Sequence, residues 1–146
     1  ERRGGIIDLA HSSPQVVRDV LAMATRPPIV SHTGLYGACA SPRNIPDELM
    51  AAIAERGGLI GIGYWDGAVC DPSPESVVAT FTYGLELLGT GALSLGSDYD
   101  GSTTVAFDTS ELAVLTDGLL DAGFEEEAVR DVMGENTLRF LVRWLP

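Results

Sequence analysis

Short apolar runs alternate with longer segments in which apolar residues recur at helical spacing. The runs occupy residues 6–10, 28–31, 59–65 and 92–97, and turn residues bound each of them. Continuous apolar runs of this length are typical of strands buried in a parallel sheet. In the segments between the runs, the spacing of the apolar residues is typical of amphipathic helices. The pattern therefore predicts about four strand–helix units in chain order, with a further helix at the C-terminal end.

Capping residues predict where the helices begin and end. Ser13-Pro14 and Ser73-Pro74 each combine an N-cap serine with proline at the first helical position. Asn44 is predicted to cap a helix that ends at Gly57-Gly58. Two helices are expected to finish the chain, over about 110–122 and 125–144, the second interrupted at residues 134–136.

Repeated strand–helix units predict an α/β fold with a parallel sheet and right-handed crossovers, either open and doubly wound or part of a closed barrel. A (β/α)8 TIM-type barrel has about eight strands and roughly 250 residues, so four units predict a partial barrel. We therefore expect residues 1–146 to be the C-terminal half of a barrel whose N-terminal half is absent. The chain opens without Met, as at an internal cut point. Its open sheet edges predict either a homodimer or a need for the missing half.

Composition limits the class of partner. The chain is 45% apolar and carries a net charge of -12 with nine basic residues. Nucleic acid and anionic membranes are bound mainly through Lys and Arg, so neither is an expected partner. No apolar stretch approaches the roughly 20 residues of a membrane span, which predicts a soluble chain that binds a small molecule or a protein surface.

Three polar side chains follow predicted strands, at the sheet edge where parallel α/β folds place their active sites: His11, His32 and Asp98. The histidines lie one strand–helix repeat apart, so we expect them on neighbouring strands about 4.8 Å apart, where they could share a metal ion. The alternative is a pair of hydrogen-bonded core or loop histidines. Asp98 is predicted to be a general base; alternatively it is an ordinary turn residue, the role we expect for Asp100.

Arg43 follows the loop after the second predicted strand, where its guanidinium could bind a substrate carboxylate through two hydrogen bonds. The alternative is a surface arginine that pairs with Asp47 or Glu48. Tyr64 and Trp65 end the third predicted strand and could form the wall of a pocket, although aromatic residues at such positions more often belong to the core.

Six short motifs occur in order along nearly the whole chain. Together they resemble the membrane dipeptidase (renal dipeptidase) family of zinc peptidases. The motifs are Asp8-Leu9-Ala10-His11, Ser31-His32-Thr33, Arg43-Asn44 with Pro46-Asp47, Gly57-Gly58-Leu59-Ile60-Gly61, Gly96-Ser97-Asp98-Tyr99-Asp100-Gly101, and Gly134-Glu135-Asn136 with Arg139.

The resemblance implies a (β/α) barrel, roughly twice as long as this chain, that hydrolyses dipeptides with water activated by two zinc ions. On that pattern His11 and His32 hold one zinc ion, Asp98 is the catalytic aspartate, and Arg43 binds the terminal carboxylate of the dipeptide. The family's other zinc ligands are a His-x-Asp pair and a bridging Glu in the N-terminal half. This chain contains no His-x-Asp. We therefore expect one partial zinc site here and no activity from this chain alone.

The two cysteines, Cys39 and Cys70, could form a disulfide or remain as two buried thiols. Their positions resemble a disulfide pair in secreted members of the family, although a reduced cytoplasmic bacterial homologue would have the same sequence. A disulfide would favour a periplasmic or extracellular location over the cytoplasm.

Two other functions are compatible with the sequence. One is a non-catalytic half-barrel that serves as an interaction module. The other keeps metal-dependent hydrolysis but changes the substrate, because related barrels hydrolyse lactones, cyclic amides and phosphoesters, and a fold does not choose among them.

Overall fold

A three-stranded parallel sheet forms the centre of the computed structural model, which describes residues 1–146. The strands are β1 (Ile29–Thr33), β2 (Leu59–Ile62) and β3 (Leu93–Leu95), in the order β1-β2-β3. Every residue of β2 is buried, as expected for the central strand of a parallel sheet covered on both faces. The parallel α/β prediction is confirmed.

The helices follow the strands in the expected alternation. They are α1 (Pro14–Met23), α2 (Asp47–Glu55), α3 (Asp66–Val69), α4 (Pro74–Leu88), α5 (Ala113–Asp121), α6 (Glu126–Arg130) and α7 (Asn136–Trp144). Short 3-10 turns occupy Thr90–Ala92 and Thr109–Glu111, and a π-helical stretch, Asp131–Glu135, joins α6 to α7. The predicted interruption near residue 134 is therefore confirmed, because Gly134 has non-helical dihedral angles inside that stretch.

Serine caps begin two of the long helices, as the sequence predicts. The hydroxyl of Ser13 accepts from the amide of Val16 at the start of α1, and the hydroxyl of Ser73 accepts from Ser76 at the start of α4. The prediction for Asn44 is wrong: α2 begins only at Asp47, and its N-cap position is occupied by Pro46, which offers no side-chain cap.

The first predicted strand, residues 6–10, is not a strand. Only one isolated parallel bridge, Asp8 to Ile29, connects it to the sheet. Two backbone hydrogen bonds accompany the bridge, from Leu9 N to Ile29 O and from Ile29 N to Ile7 O. The pairing ends there because His11 takes a left-handed backbone conformation with φ 62° and turns the chain away. The predicted count of four strands is therefore corrected to three.

The hydrophobic core lies between the sheet and the helices that cover it. Ile60 and Ile62 of β2, Leu93 of β3 and Phe81 of α4 are fully buried within one cluster of 25 residues. Because this cluster includes residues from nearly every element, the chain has one continuous core. None of the helices is long and apolar enough to cross a lipid bilayer.

Gly61 brings two strands unusually close together. A Cβ atom at this position of β2 would lie 2.2 Å from the carbonyl oxygen of Ser31 in β1, a distance that real Cβ atoms essentially never show. Gly96, just after β3, approaches the same carbonyl oxygen. Only glycine leaves room for this close approach of backbones at the C-terminal edge of the sheet.

Candidate active site

Two histidines face each other at the C-terminal edge of the sheet. His32 lies within β1, and His11 lies in the turn that follows the bridge to that strand. Their Nε2 atoms are 3.0 Å apart, and their ring centroids are 4.9 Å apart in an edge-to-face arrangement. The two imidazoles thus converge on a shared point, as the spacing of the sequence predicts.

The facing nitrogens suit part of a zinc site. Tetrahedral coordination with Zn–N bonds of about 2.0–2.1 Å places two ligand nitrogens about 3.3 Å apart, close to the distance between these Nε2 atoms. The hydroxyl of Ser31 lies 2.9 Å from Nδ1 of His32, so this ring has the supporting hydrogen-bond partner that metal-binding histidines usually have. No group of three or more His, Cys, Asp or Glu side chains converges on one point. The convergent nitrogens are therefore those of the two imidazoles alone.

Asp98 lies beside the histidine pair. Its Oδ2 atom is 3.8 Å from Nε2 of His32. The residue adopts a left-handed conformation with φ 54°, and its carbonyl oxygen accepts hydrogen bonds from the Gly101 amide and the Thr103 hydroxyl. A tight turn after β3 thus holds the carboxylate next to the imidazoles. The exposed Asp100 lies further along this turn.

Arg43 reaches the same site from the other side. Its guanidinium donates to the carbonyl oxygen of His32 at 3.1 Å, and its Cζ lies 5.5 Å from the ring centroid of Trp65. The alternative of a surface ion pair is wrong, because Asp47 accepts from Gly37 and Tyr83 and Glu48 pairs with Arg18. Arg43 has no carboxylate partner of its own, so its remaining N–H donors can bind an anionic ligand.

The electrostatic environment favours neutral His32. Burial lowers the pKa of this imidazole, and the positive charge of Arg43 and the neighbouring His11 lower it further, while Asp98 and Asp8 oppose the shift. A neutral imidazole is the form that binds zinc. Burial also lowers the pKa of the Arg43 guanidinium, against the opposing effect of the same two carboxylates.

Asp8 contributes to the site in a way that the sequence reading missed. Its Oδ1 atom accepts from the amides of Ala10 and Ser31, both at 3.0 Å. Burial by itself would raise the pKa of this carboxyl, but hydrogen bonds from Ser31 and Ala10 outweigh that effect and lower it. One carboxylate therefore ties the turn before His11 to the strand that carries His32. An aspartate that interrupts an apolar run was the signal that could have revealed it.

Trp65 and Tyr64 have different roles although they are adjacent. The ring of Trp65 is buried, with its centroid 6.0 Å from that of His32, and it lies under the guanidinium of Arg43, so it supports both side chains from the core. Tyr64 is completely buried, stacks near Phe107 and Tyr99, and has a hydroxyl without a hydrogen-bond partner. Burial raises the pKa of the Tyr64 phenol. Both residues belong to the core cluster, and Trp65 in addition contacts Arg43 and His32.

The loop over residues 34–43 is held at several points. The buried side chain of Asn44 accepts from the amide of Gly34 and donates to the carbonyl oxygens of Cys39 and Ala68, at 2.8–2.9 Å. A disulfide joins Cys39 to Cys70, across a sequence separation of 31 residues. Both connections tie the loop to the segment that contains α3.

A cavity of about 430 Å³ opens beside the histidine pair. The residues that line it are His11, Ser12, Ser13, Pro14, Tyr36, Pro42, Arg43, Asn44, Ile45 and Pro46. A basic group is thus set among mainly apolar surfaces, a composition that suits an organic molecule with one anionic end.

Comparisons with known proteins identify similar chains. The family model described as Membrane dipeptidase (Peptidase family M19) matches residues 1–143. Dipeptidase ataJ from Aspergillus terreus is 32% identical, over 94% of this chain and 36% of its own length. The chain therefore spans about a third of that curated relative.

Solved structures give the same result. The dipeptidase AC, described as a metallo peptidase of family M19, superposes with a TM-score of 0.91 at 25% identity, over 99% of this chain and 45% of its own. A metallo peptidase from Rhodobacter sphaeroides, solved with a phosphinate mimic of the dipeptide L-Ala-D-Ala, gives 0.90 at 25% identity. The alignment covers 98% of this chain and 43% of that structure. The chain thus matches less than half of each of these two structures.

Proposed function

Because the chain belongs to the membrane dipeptidase family, peptidase family M19, we propose that it carries part of the active site of a zinc-dependent dipeptidase. The observation that supports this most directly is the 3.0 Å approach of the Nε2 atoms of His11 and His32, with Asp98 and Arg43 beside them. Two imidazoles that can hold a metal ion, a carboxylate and a cation at one sheet edge are groups that metal-assisted hydrolysis of a short peptide uses.

His11 and His32 would hold one zinc ion through their Nε2 atoms. When bound, zinc polarises a carbonyl group and makes water a nucleophile at neutral pH. The complete site would contain two zinc ions, the second held by residues that this chain does not supply. Ser31 fixes the ring of His32, and Asp8 fixes the backbone of both neighbouring segments.

Asp98 would move the proton. Its carboxylate, next to the imidazole of His32, would take a proton from the attacking water and deliver it to the departing amine. The tight turn that holds Asp98 keeps the carboxylate at the sheet edge, which limits the reorganisation needed for the proton transfer.

Arg43 would select dipeptides by binding the free carboxylate at the end of the substrate. A guanidinium close to the reacting carbonyl leaves room for one residue between the scissile bond and the carboxylate. The Rhodobacter sphaeroides structure was solved with a dipeptide mimic, and this supports carrying the same substrate class over to the present chain.

We further propose that residues 1–146 form the C-terminal half of a (β/α) barrel. Three parallel strands with helices, superposed on 45% of a solved dipeptidase, support this arrangement. The remaining strands would come from an N-terminal half or from a second copy of the chain. The disulfide between Cys39 and Cys70 supports a periplasmic or extracellular location, where disulfides persist.

Zinc binding and hydrolysis together test the proposal. Zinc is titrated calorimetrically into this chain and into its His11→Ala and His32→Ala variants, with Arg18→Ala as a surface control. We expect each histidine variant, but not the control, to lose zinc binding. Hydrolysis of Ala-Ala is then measured with the complete polypeptide and zinc, and is expected to fall at least 100-fold in Asp98→Asn. Equal zinc binding by all the variants would overturn the proposal.

A further inference from the structure

The side chain of Asp47 connects the middle of the loop over residues 34–43 to helix α4. Its Oδ1 atom accepts from the amide of Gly37 at 3.1 Å, and its Oδ2 atom accepts from the hydroxyl of Tyr83 at 2.5 Å. Asp47 is the first residue of α2, where a carboxylate is also favoured by the helix dipole. One side chain thus joins the loop, α2 and α4.

The contact at Gly37 is tight because the loop lies directly over the Asp47–Tyr83 pair. A Cβ atom at Gly37 would overlap the Tyr83 hydroxyl and the Asp47 carboxylate, so only glycine fits. The hydrogen bond raises the pKa of the Tyr83 phenol, so the phenol remains a donor to Asp47 at neutral pH. The loop is therefore seated on a fixed polar pair in the middle of its length.

The residue before Gly37 lines the cavity beside the candidate active site. Tyr36 and Arg43 stand at opposite ends of the loop, and both border the cavity of about 430 Å³. The Arg43 end is fixed by the carbonyl oxygen of His32 and by its neighbour Asn44. The Tyr36 end has an exposed side chain, so its position depends on the backbone that Asp47 holds.

From this arrangement we infer that Asp47 is a positioning residue that sets the substrate-side-chain specificity of the site. Through Gly37 it holds Tyr36 as a wall of the cavity that contains Arg43. The side chain of a dipeptide's C-terminal residue then packs against the Tyr36 ring while Arg43 binds the adjoining carboxylate. Dipeptides with a large apolar C-terminal side chain therefore bind more tightly through this contact, whereas those that end in glycine do not. The inference rests on the proposed carboxylate-binding role of Arg43.

Binding of three ligands distinguishes the side-chain contact with Tyr36 from the carboxylate contact with Arg43. Glycylphenylalanine, glycylglycine and glycylphenylalanine amide are titrated by NMR into the full chain without zinc, so that no hydrolysis occurs. In the unmodified protein we expect the phenylalanine dipeptide to bind about three- to tenfold more tightly than glycylglycine because of the aromatic contact. It should bind about ten- to hundredfold more tightly than its amide because of the charge on Arg43.

Variants of Asp47 then test its role. In Asp47→Ala we expect the preference for phenylalanine over glycine to fall to less than about twofold, while the preference for acid over amide persists. Asp47→Asn is the matched control, because its amide can still accept from Gly37 and contact Tyr83. Asp47→Asn should therefore keep the preference for phenylalanine that the unmodified protein shows. A variant that had lost its fold would show no such preference.

The possible outcomes distinguish this inference from the proposed function. If Asp47→Ala keeps the full preference for phenylalanine, the positioning role is wrong. If Asp47→Asn loses that preference as completely as alanine does, the hydrogen-bond argument is wrong. If Arg43→Ala leaves the acid preference unchanged, it is the proposed carboxylate site that fails. Tyr36→Ala should reproduce the effect of Asp47→Ala on the phenylalanine preference, and failure to do so also overturns the inference.

Discussion

The carbonyl oxygen of His32 accepts a hydrogen bond from the guanidinium of Arg43 at 3.1 Å. His32 therefore has two roles: its ring faces His11, and its backbone fixes the arginine eleven residues later. This hydrogen bond fixes the distance between the proposed zinc ligand and the proposed carboxylate-binding group. A short, fixed distance suits a site that accepts only short substrates.

Replacing Arg43 should affect charged substrates selectively. In Arg43→Ala we expect KM for Ala-Ala to rise about ten- to hundredfold, because a charge-assisted hydrogen bond is lost. KM for the dipeptide amide should hardly change. Arg43→Lys should fail to restore binding, because an ammonium group reproduces neither the bond to His32 nor the stacking on Trp65. Steady-state kinetics of the complete polypeptide check this, and equal losses for acid and amide would contradict it.

Ser31 should tune zinc affinity although it is not a ligand. Its hydroxyl contacts Nδ1 of His32, and loss of such a partner typically weakens metal binding about ten- to hundredfold. We expect Ser31→Ala to lose affinity within that range in a competition titration with a chelator. Thr116→Ala, in α5 and remote from the site, serves as the control. Unchanged affinity in Ser31→Ala would show that the ring is held by other contacts.

The Asp8 carboxylate should make stability depend on pH. Because its pKa is lowered in the folded protein, its contribution is present above its ordinary pKa of about 4 and is lost as the pH falls through the lowered value. The free energy of unfolding of Asp8→Asn should be lower than that of the unmodified protein at pH 7. In strong acid the two free energies should be nearly equal. Urea unfolding of the zinc-free protein at both pH values measures this, with the exposed Asp100→Asn as control. A difference in the free energy of unfolding between Asp8→Asn and the unmodified protein that stays constant with pH would refute the prediction.

Two tyrosine-to-phenylalanine changes should shift stability in opposite directions. The buried hydroxyl of Tyr64 has no partner, so Tyr64→Phe should raise the free energy of unfolding by about 1 kcal/mol. Tyr83→Phe removes a bonded hydroxyl and should lower it by about 1 kcal/mol. Chemical denaturation of both variants provides the comparison. Destabilisation of Tyr64→Phe would indicate that a buried water satisfies the Tyr64 hydroxyl.

Breaking the Cys39–Cys70 disulfide should destabilise the chain. The cysteines are 31 residues apart, for which the chain-entropy model gives a loss of about 3 to 4 kcal/mol. We expect the double variant Cys39→Ala, Cys70→Ala to show this loss in denaturant unfolding under oxidising conditions. Under reducing conditions the unmodified protein should behave similarly to the variant. A difference that persists under reduction would mean that lost packing of the buried Cys39 side chain contributes.

The sequence was most informative where local chemistry decides the structure. Proline after a capping serine defined the starts of α1 and α4, and continuous apolar runs located β2 and β3. Polar residues at the ends of three predicted strands, one of which is only an isolated bridge, indicated that His11, His32 and Asp98 are neighbours. Each of these signals depends on adjacent residues, so no knowledge of distant contacts was required.

Long-range contacts account for what the sequence reading missed. Asparagine is a residue type that often caps helices. The side chain of Asn44 instead forms hydrogen bonds with the backbone of Gly34, Cys39 and Ala68, the last of them 24 residues away. The local pattern around Asp8 shows only a polar residue in an apolar run, because its partner, Ser31, lies on another segment. Residues 6–10 have the apolar pattern of a strand, yet they gain only one bridge because the backbone turns at His11.

The absent side chain of Gly61 has a consequence for how the site can vary. A methyl group there would push β1, which carries His32, away from the central strand β2 and so away from β3, which leads to Asp98. The distance between the proposed zinc ligand His32 and the proposed general base Asp98 therefore depends on a residue without any reactive group. A substitution that widens this distance would abolish the proposed hydrolysis while every reactive side chain remained present.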